Sequence, residues 1–285
     1  MIWKGNTPMA MNSVVTNHGA IVALQSLNRT TDALSIVQKR VSTGVRVADA
    51  KDDGGAFAVA QSVRGDVAGL TAANEQLGGT KGVLETTFAA LGKVSETMVK
   101  VRETLTRLAD GTLNDEQRGQ YEAQYTQLRT QIQNFISDAT YNSRTLLDTD
   151  TAAGGGDIVT TRNESGSTFT VTAIDGAGTL VVAAAPTTAT LAQAALVSGG
   201  DFKTIESAIA DAMNQFGSDS NYIDSQVKYN KDKVDALEGG LGALIDADLA
   251  KESAKLQALQ IRQQLGTQAL SISNQSPQML LSLFR

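Results

Sequence analysis

The sequence predicts a mainly α-helical protein: a long antiparallel helical rod with a terminal coiled coil and a small β-hairpin insertion. No proline occurs between Pro8 and Pro186, so long uninterrupted helices are permitted. Apolar residues near the N-terminus recur at alternating steps of three and four, which is the spacing of a coiled-coil seam. A section near the middle is rich in Gly, Ser and Thr and contains a short alternating stretch, which is typical of a hairpin.

The first predicted helix lies within residues 9–45. It is predicted to end near Thr43-Gly44, because glycine readily adopts the left-handed conformation that closes many helices. Its heptad seam holds mainly Ala, Leu and Val and consists of Ala20, Ala23, Leu27, Thr30, Leu34, Val37 and Val41. The sequence therefore predicts a coiled-coil helix at this end.

Residues 46–150 are predicted to form a helical body. A polar connector reaches to about residue 60, and helices are expected over about 61–108 and 115–138, separated by a break at Asp110-Gly111. One face of the second helix is apolar and carries Tyr121, Tyr125, Leu128, Ile132, Phe135 and Ile136. Six glycines of the first helix, at positions 65, 69, 78, 79, 82 and 92, each cost about 1 kcal/mol relative to alanine. We expect either close approach of neighbouring helices or a local kink there.

Residues 151–200 are predicted to form a short β region. A strand over 168–172, a turn over 175–178 and a strand over 179–182 indicate one hairpin, or two if the flanking residues also pair. Helical patterning returns at about Asp201 and gives a body helix over 201–240 and a terminal helix over 241–285. A break between them is expected around Gly239-Gly240 or Gly242.

The two ends of the chain share an unusual lack of charge. Residues 11–28 contain no Asp, Glu, Lys or Arg, and Arg262 is the only charged residue in 256–284. The C-terminal helix is apolar on more than one side and therefore needs partners on more than one side. Periodicity alone is equally compatible with an ordinary intramolecular bundle, but the uncharged ends favour assembly with other copies. The predicted assembly interface comprises Leu27, Leu34, Val41, Leu256, Leu259, Leu265, Leu270, Ile272, Leu281 and Phe284.

The composition argues against catalysis, cofactors and several classes of partner. The chain has no cysteine and a single histidine, His18, so thiolate chemistry and a catalytic triad are disfavoured. The carboxylates Asp246, Asp248 and Glu252 are interpreted as an acidic first turn that favours the helix dipole. A net charge of −6 argues against nucleic-acid binding. No run of residues is apolar enough to predict membrane insertion, and the segment MIWKGNTP lacks the apolar stretch expected of a cleavable secretory signal.

Several motifs resemble those of bacterial flagellins. They are MAMNSVVTN at 9–17, VSTGVRVADAKDD at 41–53, IDADLAKE at 245–252, QQLG at 263–266 and NQSPQMLLSLFR at 274–285. The resemblance covers about 9–150 and 200–285, and the short middle is similar to that of the compact α-proteobacterial type. Residues 1–8 precede the usual start of the family and are expected to be absent from the mature subunit or flexible in it.

The resemblance implies a structural subunit that polymerises into the helical flagellar filament. It implies that 9–45 and 241–285 form the filament core, that 46–150 and 201–240 form the body, and that 151–200 faces solvent. It also implies secretion by the flagellar type III apparatus to an extracellular filament. The implied partners are other copies, an export chaperone, the filament cap and the hook-junction proteins. The alternative is a hook-filament junction protein of the same superfamily. A zinc protease insert in the centre is excluded, because 150–200 contains no His and no Cys.

The resemblance also bears on innate immune recognition. Residues 99–106, VKVRETLT, are similar to the receptor-recognised segment Q-R-V-R-E-L-A-V of enterobacterial flagellins. Arg102 and Glu122 match receptor-contacting residues, whereas Lys100 replaces an arginine whose bidentate hydrogen bonding lysine cannot reproduce. Thr104 replaces a leucine. The resemblance therefore predicts weakened receptor activation.

Overall fold

A computed structural model describes the backbone of residues 17–283 and the side chains of residues 17–275. The predicted extension at 1–8 and the side chains of Leu281 and Phe284 lie outside these residues. The helices are α1 (His18–Thr43), α2 (Gly54–Leu108), α3 (Asp115–Ser137), α4 (Gly176–Thr179), α5 (Ala189–Leu196), α6 (Asp201–Ile245) and α7 (Leu249–Leu283). The strands are β1 (Ile158–Thr161) and β2 (Thr168–Val171), and a single 3₁₀ turn spans Thr151–Ala153. The prediction of a mainly helical protein with long helices and one small hairpin is confirmed.

The chain divides into two compact units. The first, called the terminal unit, contains the described residues up to Val63 and those from Glu238 onward. The second, called the body unit, is Arg64–Leu237. The boundaries between the units fall within α2 and within α6.

Helix α1 of the terminal unit forms as the heptad pattern predicts. The Asn17 side chain accepts a hydrogen bond from the backbone N–H of Ala20 at 3.0 Å and so caps the N-terminus. Gly44 closes the C-terminus with a φ of 74°, a conformation that side chains with a Cβ disfavour. All seven predicted seam residues are buried or half-buried, whereas every other residue between 21 and 32 is exposed. The predicted seam is therefore the covered face of the helix.

The connector between α1 and α2 is shorter than predicted. Helix α2 begins at Gly54 and not near residue 61, because Asp53 provides a cap that the sequence prediction overlooked. The Asp53 side chain accepts a hydrogen bond from the Ala56 N–H at 3.0 Å. Phe57 and Ala60 of the added turns pack with Val47 and Ile245 in a small apolar cluster. The packing in this cluster offsets the unfavourable helix propensity of Gly54 and Gly55.

The break between the last two helices was also misplaced. Helix α6 continues through Gly239, Gly240 and Gly242 and ends at Ile245, so the break lies at residues 246–248. Leu241, Leu244 and Ile245 hold this stretch in the same apolar cluster, and this packing offsets the low propensity of the glycines.

The core of the body unit lies among α2, α3, α6 and the segment between α3 and α6. Among its largest fully buried side chains are Leu77, Leu84, Leu91, Leu105, Ile132, Leu146, Leu180, Phe216 and Ile223. Helix α3 begins with a capping box, in which Asn114 and Gln117 bond each other's backbone N–H groups. Its apolar face is the predicted one, with Tyr125, Ile132 and Ile136 buried and Tyr121, Leu128 and Phe135 packed beside them.

The hairpin was predicted with the wrong partner for strand β2. Strand β2 lies where the alternation predicts, but it pairs antiparallel with β1, with Ile158 opposite Val171 and Thr161 opposite Thr168. The expected turn at 175–178 is the start of α4, because Asp175 caps it by accepting a hydrogen bond from the Gly178 N–H. Leu180 and Val182 of the supposed second strand are buried in the helical core. Helix α5, capped by Thr188, was not predicted at all.

Two of the six α2 glycines are sites of close approach. A Cβ at Gly69 would lie 3.1 Å from Glu164 Cβ, and one at Gly82 would lie 2.9 Å from the Tyr141 ring. No atom lies near the corresponding position of Gly65, Gly78, Gly79 or Gly92 among the described residues. Gly69 and Gly82 are therefore closely approached, but by loops and not by the neighbouring helices that were expected.

The half-buried Asp219 of α6 provides a test of the body packing. Burial raises the pKa of the Asp219 carboxyl above its ordinary value of 3.8. The folded body therefore binds this proton more tightly than the unfolded chain does, and the ionised carboxylate destabilises the fold once the pH exceeds the folded pKa. We expect Asp219→Asn to raise the free energy of unfolding at pH 7, and we expect this gain to vanish below about pH 4.

Urea unfolding at several pH values measures this effect, with the exposed Asp211→Asn as the matched control on the same helix. An Asp219→Asn variant that is less stable than the parent at pH 7 would contradict the assignment.

Candidate assembly surface of the terminal helices

Helices α1 and α7 pack against each other as an antiparallel pair. The Asn17 side-chain amide donates a hydrogen bond to the Ser273 carbonyl at 2.7 Å at one end of the pair. In the middle, Gly266 lies against Leu27, whose Cδ1 would be 3.2 Å from a Cβ at that glycine. At the other end, Arg40 and Glu252 approach to 3.7 Å. The two ends of the chain therefore come back to each other, as the sequence predicts.

The covered residues of α7 repeat at steps of four and three. They are Glu252, Leu256, Leu259, Gln263, Gly266, Leu270 and Ser273, and every other residue between 254 and 275 is exposed. This is the seam that faces α1. Six predicted interface residues lie in the seam between the two helices: Leu27, Leu34, Val41, Leu256, Leu259 and Leu270. Leu34 is buried and the other five are half-buried.

A second set of apolar side chains points away from the seam, and we call it the outer apolar face. Its members are Ile21, Val22, Leu24 and Ile36 of α1 and Ile261, Leu265 and Ile272 of α7. Leu265 and Ile272 belong to the predicted interface and are 58% and 68% exposed. The predicted interface did not include the other five, although apolar residues outside the heptad positions of a helix are the signal that identifies them.

One charged residue interrupts the α7 seam. Glu252 is buried, and its Oε1 lies 2.8 Å from the Lys255 ammonium as well as near Arg40. The Glu252 Oε2 atom and the Arg40 Nε atom have no hydrogen-bond partner within residues 17–275. A polar group at a seam position disfavours shifted pairings of the two helices, since a shift would leave it facing apolar groups. Two carboxylates of the predicted acidic first turn therefore have different roles. Asp248 caps α7 by accepting a hydrogen bond from the Lys251 N–H, whereas Glu252 lies in the seam.

The two connectors at the base of the helix pair are hydrogen-bonded to each other. The Arg46 backbone N–H donates to the Ile245 carbonyl at 2.6 Å, and the Ala247 N–H donates to the Gly44 carbonyl at 3.0 Å. The Lys39 ammonium binds Asp49 at 2.7 Å and Asp52 at 2.9 Å. These hydrogen bonds raise the pKa of Lys39 and lower the pKa values of both carboxyls. The segment 41–53 therefore fixes where α1 ends beside the start of α7.

The predicted receptor-contact residues lie in the body unit. Lys100 is exposed and Glu122 is half-buried. Arg102 pairs with Glu206, and its guanidinium lies 5.5 Å from the centre of the Phe202 ring. Thr104 is buried and donates a hydrogen bond to the Lys100 carbonyl at 2.9 Å. The difference between Thr104 and the leucine of the receptor-recognised segment therefore lies in the interior of the body unit and not at its surface.

The described part of the chain offers no arrangement typical of a metal site. It contains no group of three or more His, Cys, Asp or Glu residues able to hold a metal ion. Within the same residues, no helix combines enough length and apolar character to cross a membrane. The surface with the strongest functional signal is the outer apolar face.

Known proteins similar to this chain align along nearly all of it. The family model for the bacterial flagellin N-terminal helical region matches residues 14–152, and that for the C-terminal helical region matches 202–284. Flagellin FljK of Caulobacter vibrioides is 37% identical over 97% of this chain and 100% of its own length. A flagellin of Brucella melitensis is 33% identical over 96% of this chain and 100% of its own. Flagellin C of Rhizobium meliloti is 25% identical over the same shares.

Proposed function

The chain belongs to the bacterial flagellin family, and on that premise we propose that α1 and α7 together form its filament-core interface. As a flagellin it is a structural subunit of the extracellular flagellar filament, polymerises with its own copies and is not an enzyme. The relatives that match it from end to end are flagellins, which favours the filament subunit over the hook-filament junction protein.

The observation that carries the proposal is the outer apolar face. Seven large apolar side chains are exposed on the helix pair, and six of them lie in the stretches 11–28 and 256–284, where Arg262 is the only charged residue. Fully burying one such side chain is worth about 1.5–3 kcal/mol, so their combined burial supplies a strong drive for association. Contacts of this kind between identical copies that do not close on themselves produce helical fibres.

The ten predicted interface residues take two roles in this proposal. The six seam residues join α1 to α7 within each copy and set the geometry of the helix pair. Leu265 and Ile272 contact neighbouring copies directly. Leu281 and Phe284, whose side chains lie outside the described residues, are assigned to the same interface from the sequence, which carries no charged residue from 263 to Phe284.

The remaining segments receive roles consistent with this division. We assign 9–45 and 241–285 to the filament core, 46–150 and 201–240 to the subunit body, and 151–200 to a surface that faces outward. An export chaperone is the proposed partner of the apolar C-terminal helix before assembly, and the cap and hook-junction proteins are proposed neighbours at the filament ends.

Seeded polymerisation tests the proposal. Purified chain added to short filament seeds is expected to elongate them, as electron microscopy would show. Seeds that remain at their initial length, under conditions in which a Caulobacter vibrioides flagellin elongates its own seeds, would contradict the filament-core role.

We also expect weak activation of the innate receptor that recognises enterobacterial flagellins. Lys100 is exposed but lacks the guanidinium fork, whereas Arg102 is held by Glu206 and Phe202 within the chain. A cell reporter assay should give lower potency than an enterobacterial flagellin, and Lys100→Arg should recover part of the difference. Equal potency of the parent chain would refute the prediction.

A further inference from the structure

We propose that the body unit carries a binding site for a small organic carboxylate, in a cavity lined by α2, the turn at 141–144 and strand β1. The cavity has a volume of about 280 Å³, close to the lower end of the roughly 300–1,000 Å³ that small-ligand sites occupy. The ligand class is a compact apolar body with one carboxylate group. This inference goes beyond the proposed filament role and does not depend on it. We call the region the β1 cavity.

A glycine of α2 keeps the β1 cavity open. Gly79 lines the cavity, and none of the described residues has an atom within 4 Å of the place that a Cβ of Gly79 would take. Glycine is the least favourable residue other than proline in the interior of a helix, so helix formation does not account for it. A larger side chain at this position would enter the cavity.

The rim of the cavity is a rigid turn. The backbones of Tyr141 and Arg144 exchange two hydrogen bonds, at 2.9 Å and 3.0 Å. Between them, Asn142 and Ser143 have φ values of 49° and 60°, the left-handed values that a tight two-residue hairpin turn requires. The Tyr141 ring also packs on Gly82 of α2. The lining residues 141, 142 and 144 are therefore held in place before a ligand binds, which lowers the entropic cost of binding.

The charge of the cavity determines the charge of the ligand. Arg144 is the only charged residue among the described lining residues. It is half-buried, its Nη2 atom lies 3.5 Å and 3.3 Å from the carbonyl oxygens of Gly156 and Asp157, and it forms no ion pair within residues 17–275. A guanidinium in this situation binds a carboxylate through charge-assisted hydrogen bonds, which are stronger than those to a neutral acceptor. A cationic ligand would be repelled.

A buried hydroxyl in the cavity wall needs a partner. Thr160 of β1 is 3% exposed, and its Oγ1 atom has no hydrogen-bond partner within residues 17–275. A buried polar group without a partner is unfavourable, and a hydroxyl can donate to a carboxylate oxygen. Arg144 and Thr160 are thus two donors in the wall of one cavity, which suits a ligand with two acceptor oxygens.

The remaining wall requires that the rest of the ligand be apolar. Val83, Ile158 and Val159 contribute aliphatic side chains, and Tyr141 contributes a half-exposed aromatic ring. Val159 is 62% exposed, so this wall is in contact with solvent in the free chain. Small-molecule sites are typically lined in this way, with mainly apolar walls and a few polar groups that fix the orientation of the ligand.

Titration of the free full-length chain with benzoate tests the proposal, with benzamide as the matched neutral probe. Both have the same ring, and only benzoate carries a carboxylate. We expect an NMR titration to give a Kd of about 1 mM or tighter for benzoate and a Kd at least about tenfold weaker for benzamide. Equal binding of the two probes, equal binding of inorganic phosphate, or no binding of benzoate at about 10 mM would overturn the inference.

A matched pair of glycine substitutions locates the site. Gly79→Leu fills the β1 cavity, whereas Gly78→Leu changes the adjacent helix position, which is equally open but does not line the cavity. Both variants should melt at the same or a higher temperature than the parent, because leucine has the higher helix propensity. Only Gly79→Leu should weaken benzoate binding, by about tenfold or more. Equal affinity of the two variants would overturn the assignment.

Thr160→Val and Arg144→Gln distinguish ligand contacts from a merely structural role. Thr160→Val should leave the melting temperature unchanged or raise it, because a buried unpaired hydroxyl is removed, and it should weaken benzoate binding severalfold. Arg144→Gln should abolish the preference for benzoate over benzamide. If Thr160→Val lowers the melting temperature and leaves the affinity unchanged, the threonine is structural and its assignment as a ligand contact is overturned.

The outcomes also distinguish this inference from the proposed function. If the parent does not bind benzoate and Gly79→Leu raises the critical concentration for seeded polymerisation, the cavity is a contact between copies; the inference is overturned and the filament role stands. A parent chain that binds benzoate but does not elongate seeds supports the inference and contradicts the filament role.

Discussion

Replacing Ile272 by Asp is expected to abolish filament elongation while leaving the free chain folded. Ile272 belongs to the outer apolar face and is 68% exposed, so a carboxylate there stays hydrated in the free subunit. In the filament the same carboxylate would be buried against apolar groups of a neighbouring copy without a partner. Leaving a buried charge uncompensated costs about 3–5 kcal/mol, which corresponds to a loss of at least about 100-fold in the elongation equilibrium.

Two further variants make this result specific. Ile272→Leu retains the apolar character and should elongate seeds nearly as well as the parent. Leu27→Asp changes the seam residue that packs on Gly266, and it should reduce the helical circular dichroism of the free chain as well as assembly. Elongation by Ile272→Asp at the parent's critical concentration would show that the outer apolar face is not an interface.

Replacing Phe216 by Ala is expected to have the largest effect on the stability of the body unit. Phe216 of α6 is fully buried in the body core. Truncating a buried phenylalanine to alanine removes its transfer free energy and leaves a cavity, at a cost of about 3–5 kcal/mol. The expected result is a lower urea midpoint with an unchanged slope for the body transition.

The control for Phe216→Ala is Tyr229→Ala on the same helix, because Tyr229 is largely exposed. Its effect on the free energy of unfolding should stay within about 0.5 kcal/mol. Equal effects of the two substitutions would mean that the body core is not organised around α6. Together with Ile272→Asp, the variants Phe216→Ala and Tyr229→Ala distinguish residues that stabilise the fold of one subunit from residues that form contacts between copies.

Local patterns account for the parts of the fold that the sequence predicts correctly. The α1 seam depends on heptad spacing and its end on Gly44, and both are readable from neighbouring residues. The apolar face of α3 is likewise periodic. The start of α6 at Asp201 coincides with the return of helical patterning.

Tertiary packing decides the parts that were predicted wrongly. The alternation at 168–171 identifies a strand but not its partner, and Leu180 and Val182 serve the helical core instead of a second strand. The glycines at 239, 240 and 242 have low helix propensity, yet α6 continues through them because Leu244 and Ile245 pack in the small apolar cluster. Neither outcome is encoded within a short window of sequence.

The candidate interface shows the same division between local and long-range information. Absence of charge at the ends predicts that they are covered, but it does not separate a helix within the chain from one in another copy. The structure makes this separation, because Leu256 and Leu270 fall in the α1–α7 seam and Leu265 and Ile272 fall outside it. Ile21 and Ile36 lie off the heptad positions, which is why a search for the seam passes over them.

A helical reconstruction at side-chain resolution, of filaments grown from this chain, tests the central claim most directly. The quantity to measure is the distance from Ile21, Leu265 and Ile272 to the nearest apolar atoms of neighbouring copies. We predict contacts within about 4.5 Å for all three residues, with the α1–α7 seam closed inside each copy. A filament in which these side chains face solvent, or in which α1 pairs with the α7 of another copy, would contradict the account.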